Sequence, residues 1–268
     1  MYHLPILSRF DLGLIRSPGP GLGNLLFPLA RAAIGREQLG GSLVVPTLRQ
    51  FKIGPYFRCE KDKRTYGDIL RPRTRQEWVE WANSIVQKSV NEDTDPGQAN
   101  VVRYQGLKSQ FHDLSGHAEL VRKTLDSLSK CELTGDTYDI ALHVRLGDFV
   151  TGSQYDPGQS TRLPLDWYKT AFEQACDMLE SRTLKCTLFS DENAAKVISQ
   201  LGISNLQPEQ SHNALATMFS MSRARILIGS RSTFSLWAQY LGESKAIWPK
   251  GFALGQYKPI DVSRDHFL

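Results

Sequence analysis

Four short segments hold the residue types that could do chemistry. In the first, His143-Val144-Arg145-Leu146-Gly147-Asp148, the polar residues follow an apolar run, Tyr138 to Val144, that reads as a buried strand. Polar groups placed where such a strand runs out into a loop face the ligand crevice of a parallel sheet. The two-residue period puts His143 and Arg145 on one side of the strand end and Val144 on the other. A guanidinium there presents a planar fork of donors that suits two phosphate oxygens at once. The same residues also allow a plainer arrangement, in which Arg145 pairs with Asp148 and only holds the loop.

The second segment, Gly229-Ser230-Arg231-Ser232-Thr233-Phe234-Ser235, reads as a strand exit feeding directly into a helix. The first amides of a helix lack intrahelical partners and carry partial positive charge, so a phosphate docks there readily. Ser232 serves equally as an ordinary N-cap. In the third segment, Gly19-Pro20-Gly21-Leu22-Gly23-Asn24, glycines allow the backbone to approach a ligand closely ahead of a helix. A dinucleotide fingerprint is not met, because the glycine register is incomplete and no acid closes the next strand. The fourth, Leu188-Phe189-Ser190-Asp191-Glu192, sets carboxylates at another strand exit, where Asp191 as a helix N-cap is the plain alternative.

No metal site is expected. Asp93-Thr94-Asp95 spells a D-x-D, but it lies in a polar loop with no apolar strand to aim it, and His112 and His117 are spaced wrongly to share a helix face. Serine-hydrolase elbows and phosphate-binding P-loops are absent from the sequence.

The elements that must position these segments are clearest in the second half. Strands are expected at Tyr138 to Val144, Lys185 to Phe189, Arg225 to Ile228 and Lys245 to Trp248. Between them fall helices Leu165 to Glu180, Glu192 to Leu201 with Gly202 as its stop, His212 to Arg223, and Ser232 to Leu241. Such alternation implies a parallel sheet covered on both faces. The first half begins alike, with a short strand at Gly13 to Arg16, a helix from Asn24 to Gln38, stop signals at Gly40 and Gly41, and a strand at Leu43 to Val45. Residues 46 to 135 read as irregular, apart from a helix at Arg75 to Val90 marked by Trp78 and Trp81 and a turn at Asn91 to Gly97.

Length allows one large domain or two smaller ones: the chain has 268 residues, 41% of them hydrophobic. A net charge of +4 from 32 basic and 28 acidic residues is too weak for wrapping nucleic acid but suits a small anionic substrate. The basic stretch Lys61 to Arg75 is either a solvated loop or a contact for membrane phosphate, acidic glycolipid or RNA. Cys59, Cys131, Cys176 and Cys186 are scattered, as thiols of a reducing compartment would be. Residues Met1 to Leu12 carry neither a secretion signal nor an anchor, so the expected location is the cytoplasm or the inner face of its membrane, or the Golgi lumen for a chain whose anchor has been removed.

Taken in order, the segments resemble the α1,2-fucosyltransferase family and its wider superfamily of GDP-fucose-dependent enzymes. Gly21-Leu22-Gly23-Asn24-Leu25-Leu26-Phe27 is similar to the family's G-L-G-N-Q-L-F, and His143 to Asp148 to its H-V-R-R-G-D. Phe189-Ser190-Asp191-Glu192 resembles F-S-D-D, and Ser232-Thr233-Phe234-Ser235-Leu236-Trp237 resembles S-S-F-S-W-W. Leu146 replaces the motif's second arginine, as an aliphatic residue does in protein O-fucosyltransferases, and Arg225 stands where many relatives are acidic.

The resemblance implies an α/β, GT-B-like fold of two Rossmann-like lobes facing a central cleft, residues 1–135 on the acceptor side and 136–268 on the nucleotide-sugar side. It implies an inverting, metal-independent transferase that moves fucose from GDP-fucose, or another sugar from its nucleotide, to a glycan hydroxyl. No cofactor beyond that donor is expected. Donor binding would fall to Gly21, Gly23, Asn24, His143, Arg145, Asp191, Ser232, Thr233, Phe234 and Ser235, with Arg145 as the diphosphate ligand. Asp148 and His143 are by position the candidates for a base. A protein O-fucosyltransferase-like enzyme and a degenerate nucleotide-sugar-binding protein are the alternatives.

Overall fold

Strand β1 (Tyr2–Ile6) buries alternate residues, His3 and Pro5, as one half-covered strand should. The computed structural model describes residues 1–51, 57, 65–97, 99–133, 135–146, 162–181, 183–211 and 213–268. The chain divides into two units, Met1–Glu132 and Leu133–Leu268. In the first, β1 is followed by α1 (Leu22–Leu39), β2 (Ser42–Leu43), α2 (Arg75–Val86), β3 (Ser89–Asn91), β4 (Val101–Gln105) and α3 (Ala118–Leu128). Its strands among the described residues pair in parallel in the order β2-β1-β4-β3. Helix α1 lies directly on this sheet because residue 35 is a glycine: a Cβ there would come within 1.9 Å of the Tyr104 hydroxyl. That hydroxyl instead meets His3 Nδ1 at 2.8 Å, joining β4 to β1 beneath the helix.

Several expectations for this half need correction. The first strand is Tyr2–Ile6, whereas Gly13 to Arg16 makes only isolated bridges to Asp11 and Gln50. Residues 46 to 135 are not irregular, since they include β4, which lies between β1 and β3, and the amphipathic α3. Helix α2 stops at Val86, because the chain turns extended at Gln87 and joins the sheet edge as β3. The basic stretch divides: Lys61, Lys63 and Arg64 lie outside the described residues, as does Cys59. Arg71 and Arg73 are structural rather than solvated. Arg71 grips Glu77 with both ends of its fork, at 2.9 and 2.7 Å. Arg73 lies over the Trp78 and Trp81 rings and donates to the carbonyls of Val45 and Gly13.

The second unit follows the expected alternation with β7 added to the four strands expected: β5 (Tyr138–Val144), α4 (Leu165–Leu179), β6 (Cys186–Ser190), α5 (Ala194–Leu201), β7 (Leu206–Pro208), α6 (Ala214–Ser222), β8 (Ala224–Ile228), α7 (Thr233–Leu241) and β9 (Lys245–Trp248). One further strand, β10 (Asp265–Phe267), completes the sheet. All its described pairings are parallel, in the order β10-β9-β8-β5-β6-β7. Ile140, Leu142, Val144, Leu188, Ile226, Ile228 and Ile247 are buried together with Tyr168, Ala171 and Ala175 of α4. Burial on both faces explains why the strands read as continuous apolar runs, each large aliphatic side chain adding about 1.5–3 kcal/mol. The chain steps outward from β5 through β7, then returns to the opposite flank of β5 for β8. That reversal of order falls at the carboxyl ends of β5 and β8, the place where open parallel sheets take ligands.

No helix among the described residues is long and apolar enough to cross a membrane.

Candidate functional site

Strand register assembles the site. Leu142 pairs with Leu188 on β6 and with Ile228 on β8. Val144 pairs with Ser190, so Arg145 and Asp191 follow side by side at the exits of β5 and β6. Asp191 Oδ1 accepts a hydrogen bond from the Leu146 amide at 2.8 Å, and its Oδ2 lies 3.7 Å from Arg145 Nε. This is why Asp191 is not the N-cap of α5. Asn193 takes that place, accepting from the Lys196 amide at 3.1 Å, and the helix begins at Ala194. The Arg145 side chain keeps 24% of its surface exposed and Asp191 28%.

His143 points the other way from solvent. Its Nδ1 lies 2.6 Å from Ser235 Oγ and 3.1 Å from Ser230 Oγ. The Ser230 amide donates to Ser235 Oγ at 3.1 Å, so the hydroxyl proton of Ser235 is available for Nδ1. Burial, reinforced by the Arg145 charge, pushes the imidazole down to about 3, and the ring is neutral across the physiological range.

The start of α7 lies beside this pair. Ser232 is its N-cap, with the Ser235 amide donating to Ser232 Oγ at 3.3 Å. The amides of Thr233 and Phe234 come next, where a helix offers its donors to an anion. Gly229 makes the geometry possible, because a Cβ there would stand 2.2 Å from the Trp248 ring. Ser235 is fully buried and its hydroxyl serves His143, while Ser232, Thr233 and Phe234 are half-exposed. Beneath the strand exits, the Tyr168 hydroxyl of α4 is buried against the Arg145 backbone without a hydrogen bond of ordinary geometry. Burial raises its pKa, and the Asp191 and Arg231 charges act on it in opposite directions. Leu146, turned away from this row, lines a cavity of about 300 Å³ with Leu163, Pro164, Val197, Arg162 and Glu192.

Register thus brings together His143, Arg145, Asp191 and the Ser232 to Ser235 turn. Gly21, Gly23 and Asn24 belong to the other unit. There Gly21 is the N-cap of α1, and Gly23 and Asn24 lie inside its first turn rather than in a loop. Gly147 and Asp148 lie outside the described residues. Arg225 pairs with Asp139 at 3.1 Å, near the start of β5, which is the end of the sheet opposite Arg145. In the D-x-D loop, Asp93 pairs with Lys108 and Asp95 Oδ1 accepts from the Gly97 amide at 3.0 Å. No group of three or more His, Cys, Asp or Glu among the described residues is placed to hold a metal. Sequence reasoning passed over Tyr168 as a site residue, because its place against the Arg145 backbone is a fact of the fold.

No family model and no curated protein matches the chain. Among solved structures, E. coli heptosyltransferase WaaC with ADP is similar at a TM-score of 0.48 and 11% identity, over 95% of this chain and 92% of that one. Fucosyltransferase NodZ from Bradyrhizobium is similar at 0.44 and 16% identity, over 85% and 92% of the two chains. The same enzyme, as an alpha-1,6-fucosyltransferase soaked with GDP-fucose, gives 0.43 and 16% over the same shares.

Proposed function

We propose that the chain is a glycosyltransferase that takes its sugar from a nucleoside diphosphate sugar, with Arg145 holding the diphosphate. The observation that carries this reading is the place of Arg145: at the exit of β5, part-exposed, beside the reversal of strand order and the start of α7. In the reaction the bond from the anomeric carbon to the diphosphate oxygen breaks and its electron pair leaves with the diphosphate. The acceptor oxygen bonds to that carbon and gives its proton to a base or to solvent. Negative charge therefore grows on the departing group, and Arg145 with the Thr233 and Phe234 amides would meet it. One preorganised contact of this kind is worth about 10²–10³ in rate.

The finer reading is an inverting transfer of fucose from GDP-fucose to a glycan hydroxyl, supported by the ordered resemblance of the segments. His143 takes the part of a positioning residue, since a buried neutral ring bonded to two serines holds β5 to α7. Asp148 is then the candidate base. Independence from divalent metal is supported by the D-x-D carboxylates, of which Asp93 is engaged by Lys108 and Asp95 by the Gly97 amide.

Labelled GDP-fucose, offered with a panel of glycans, should give transfer or slow donor hydrolysis, and EDTA should leave the rate unchanged. Failure of GDP, UDP, ADP and GDP-fucose, each at millimolar concentration, to raise the melting temperature would remove the donor assignment. Loss of transfer with EDTA, restored by manganese, would overturn the metal-independent reading.

A further inference from the structure

We propose that the cavity lined by Leu146 takes the guanine base of the donor, with Glu192 accepting from the N1–H and 2-amino group of the ring and Arg162 donating to its O6 and N7. Because it names the base of that donor, this rests on the nucleotide-sugar reading above.

The cavity lies between the starts of two helices. Pro164 is the N-cap of α4 and Asn193 that of α5, and Arg162 and Glu192 stand just ahead of these caps. Leu146, Leu163 and Val197 are buried and give the cavity apolar walls. Its volume, about 300 Å³, is at the small end of ligand pockets and suits one flat ring system better than an oligosaccharide. Such a ring buries its faces against aliphatic carbon and bonds along its edge.

The polar groups of the cavity carry both signs. Arg162 Nε is buried without a hydrogen-bond partner, and a donor left so is destabilising until an acceptor reaches it. Among the described residues the Glu192 carboxylate makes no hydrogen bond or ion pair, although Lys196 lies one helical turn on and lines the same cavity. A carboxylate asks a ligand for two donors, and a guanidinium asks it for two acceptors. Guanine offers both sets on one ring: N1–H and the 2-amino group on one edge, O6 and N7 on the next. Uracil can give a carboxylate only its single ring N–H, and adenine only its amino group.

The cavity also adjoins the phosphate site. Leu146 follows Arg145, about 3.8 Å on from Cα to Cα. Glu192 follows Asp191, whose carboxylate accepts from the Leu146 amide at 2.8 Å. Two wall residues are thus chain neighbours of the residues at the strand exits, a step that the ribose of a nucleotide can bridge.

The test is calorimetric titration of the parent, Glu192→Gln and Arg162→Gln with GDP, inosine diphosphate, ADP, UDP and inorganic pyrophosphate. The parent should prefer GDP, and inosine diphosphate, which lacks the 2-amino group, should bind about 10-fold more weakly. Each variant should weaken GDP by about 10- to 100-fold, the range for a lost charged hydrogen bond, while pyrophosphate binds as in the parent. Glu192→Gln should also erase the preference for GDP over inosine diphosphate. Melting temperatures should stay near that of the parent, since the Glu192 carboxylate and Arg162 Nε hold nothing else among the described residues in place. Parental GDP affinity in either variant would overturn the inference. Equal losses for GDP and pyrophosphate would also overturn it, since they mark a structural role or a phosphate contact. A parent that binds ADP or UDP more tightly than GDP would remove the guanine assignment and leave the nucleotide-sugar reading standing. A parent that binds no nucleoside diphosphate would sink that reading, and the base site with it.

Discussion

The Nδ1 of His143 lies 2.6 Å from the Oγ of Ser235, 92 residues further along the chain. That contact fastens the exit of β5 to the first turn of α7, and it depends on an uncharged ring. Folding moves the imidazole from its ordinary 6.5 to about 3, chiefly by burial. Below pH 6.5 the unfolded chain takes up a proton that the folded chain refuses until about pH 3, so this residue lowers stability as pH falls through that window. The slope approaches about 1.4 kcal/mol per pH unit and vanishes above about pH 7. Urea unfolding of the parent and His143→Gln should therefore give free energies whose difference is constant in alkaline buffer and narrows on acidification. A difference that stays constant down to the acid transition would show that the ring is not held neutral.

Gly229 stands between His143's partner Ser230 and the indole of Trp248. Trp248 is fully buried and its Nε1 donates to Asp265 at 3.1 Å, so the ring has nowhere to swing. Gly229→Ala sets a methyl group 2.2 Å from that ring and should cost about 1–3 kcal/mol. It should also weaken GDP binding, because the β8 exit must lift away from β5. A variant with parental melting temperature and parental GDP affinity would mean that the exit is looser than described.

How much of this was legible beforehand differs between the two units for a physical reason. In Leu133–Leu268 the strands are buried on both faces and punctuated by caps such as Gly202 and Ser232, so their apolar runs stand out. In Met1–Glu132 the strands are short and half-covered. β1 carries His3 and Pro5 at its buried positions, which hides its strand character. The candidate site follows the same division. Arg145 at a strand exit could be read from local pattern, whereas the pairing of Asp191 with the Leu146 amide is a fact of register. Tyr168 reads as core, with Ala171 and Ala175 on the same helical face, and only its place beneath Arg145 gives it interest.

Glu77 is the residue whose protonation should most affect the first unit. Its carboxylate accepts from Arg71 at 2.7 and 2.9 Å and from the Thr74 amide at 2.8 Å, closing a capping box at the start of α2. The Arg71 hydrogen bonds are the main cause that holds its pKa at about 2 against an ordinary 4.5. The folded state thus favours the charged form. Its contribution is complete above about pH 4.5 and is lost as pH falls towards about 2. Glu77→Gln keeps the cap acceptor but not the charge, and should cost about 1–3 kcal/mol at neutral pH and progressively less in acid. An unchanged acid transition in that variant would contradict the assigned pairing.

Arg145 is where stability and function should part company. Its nearest described carboxylate, Asp191, is 3.7 Å from Nε, with roughly a quarter of each side chain exposed. A pair so open to water contributes about 0–1 kcal/mol to folding. Asp191 does more through the Leu146 amide, a bond that Asp191→Asn can retain. A double-mutant cycle on stability across Arg145→Ala and Asp191→Asn should accordingly give a small coupling energy. Transfer should behave otherwise. Arg145→Ala and Arg145→Lys should each lower kcat/KM by at least about 10²-fold, with melting temperatures near that of the parent. Lysine should fail because an ammonium is a point charge and cannot present two parallel donors to a diphosphate. If Arg145 only held the loop, lysine would substitute well, and alanine would cost stability in proportion to activity. Near-parental transfer by Arg145→Lys would therefore remove the role assigned to this arginine, whatever the fate of its neighbours.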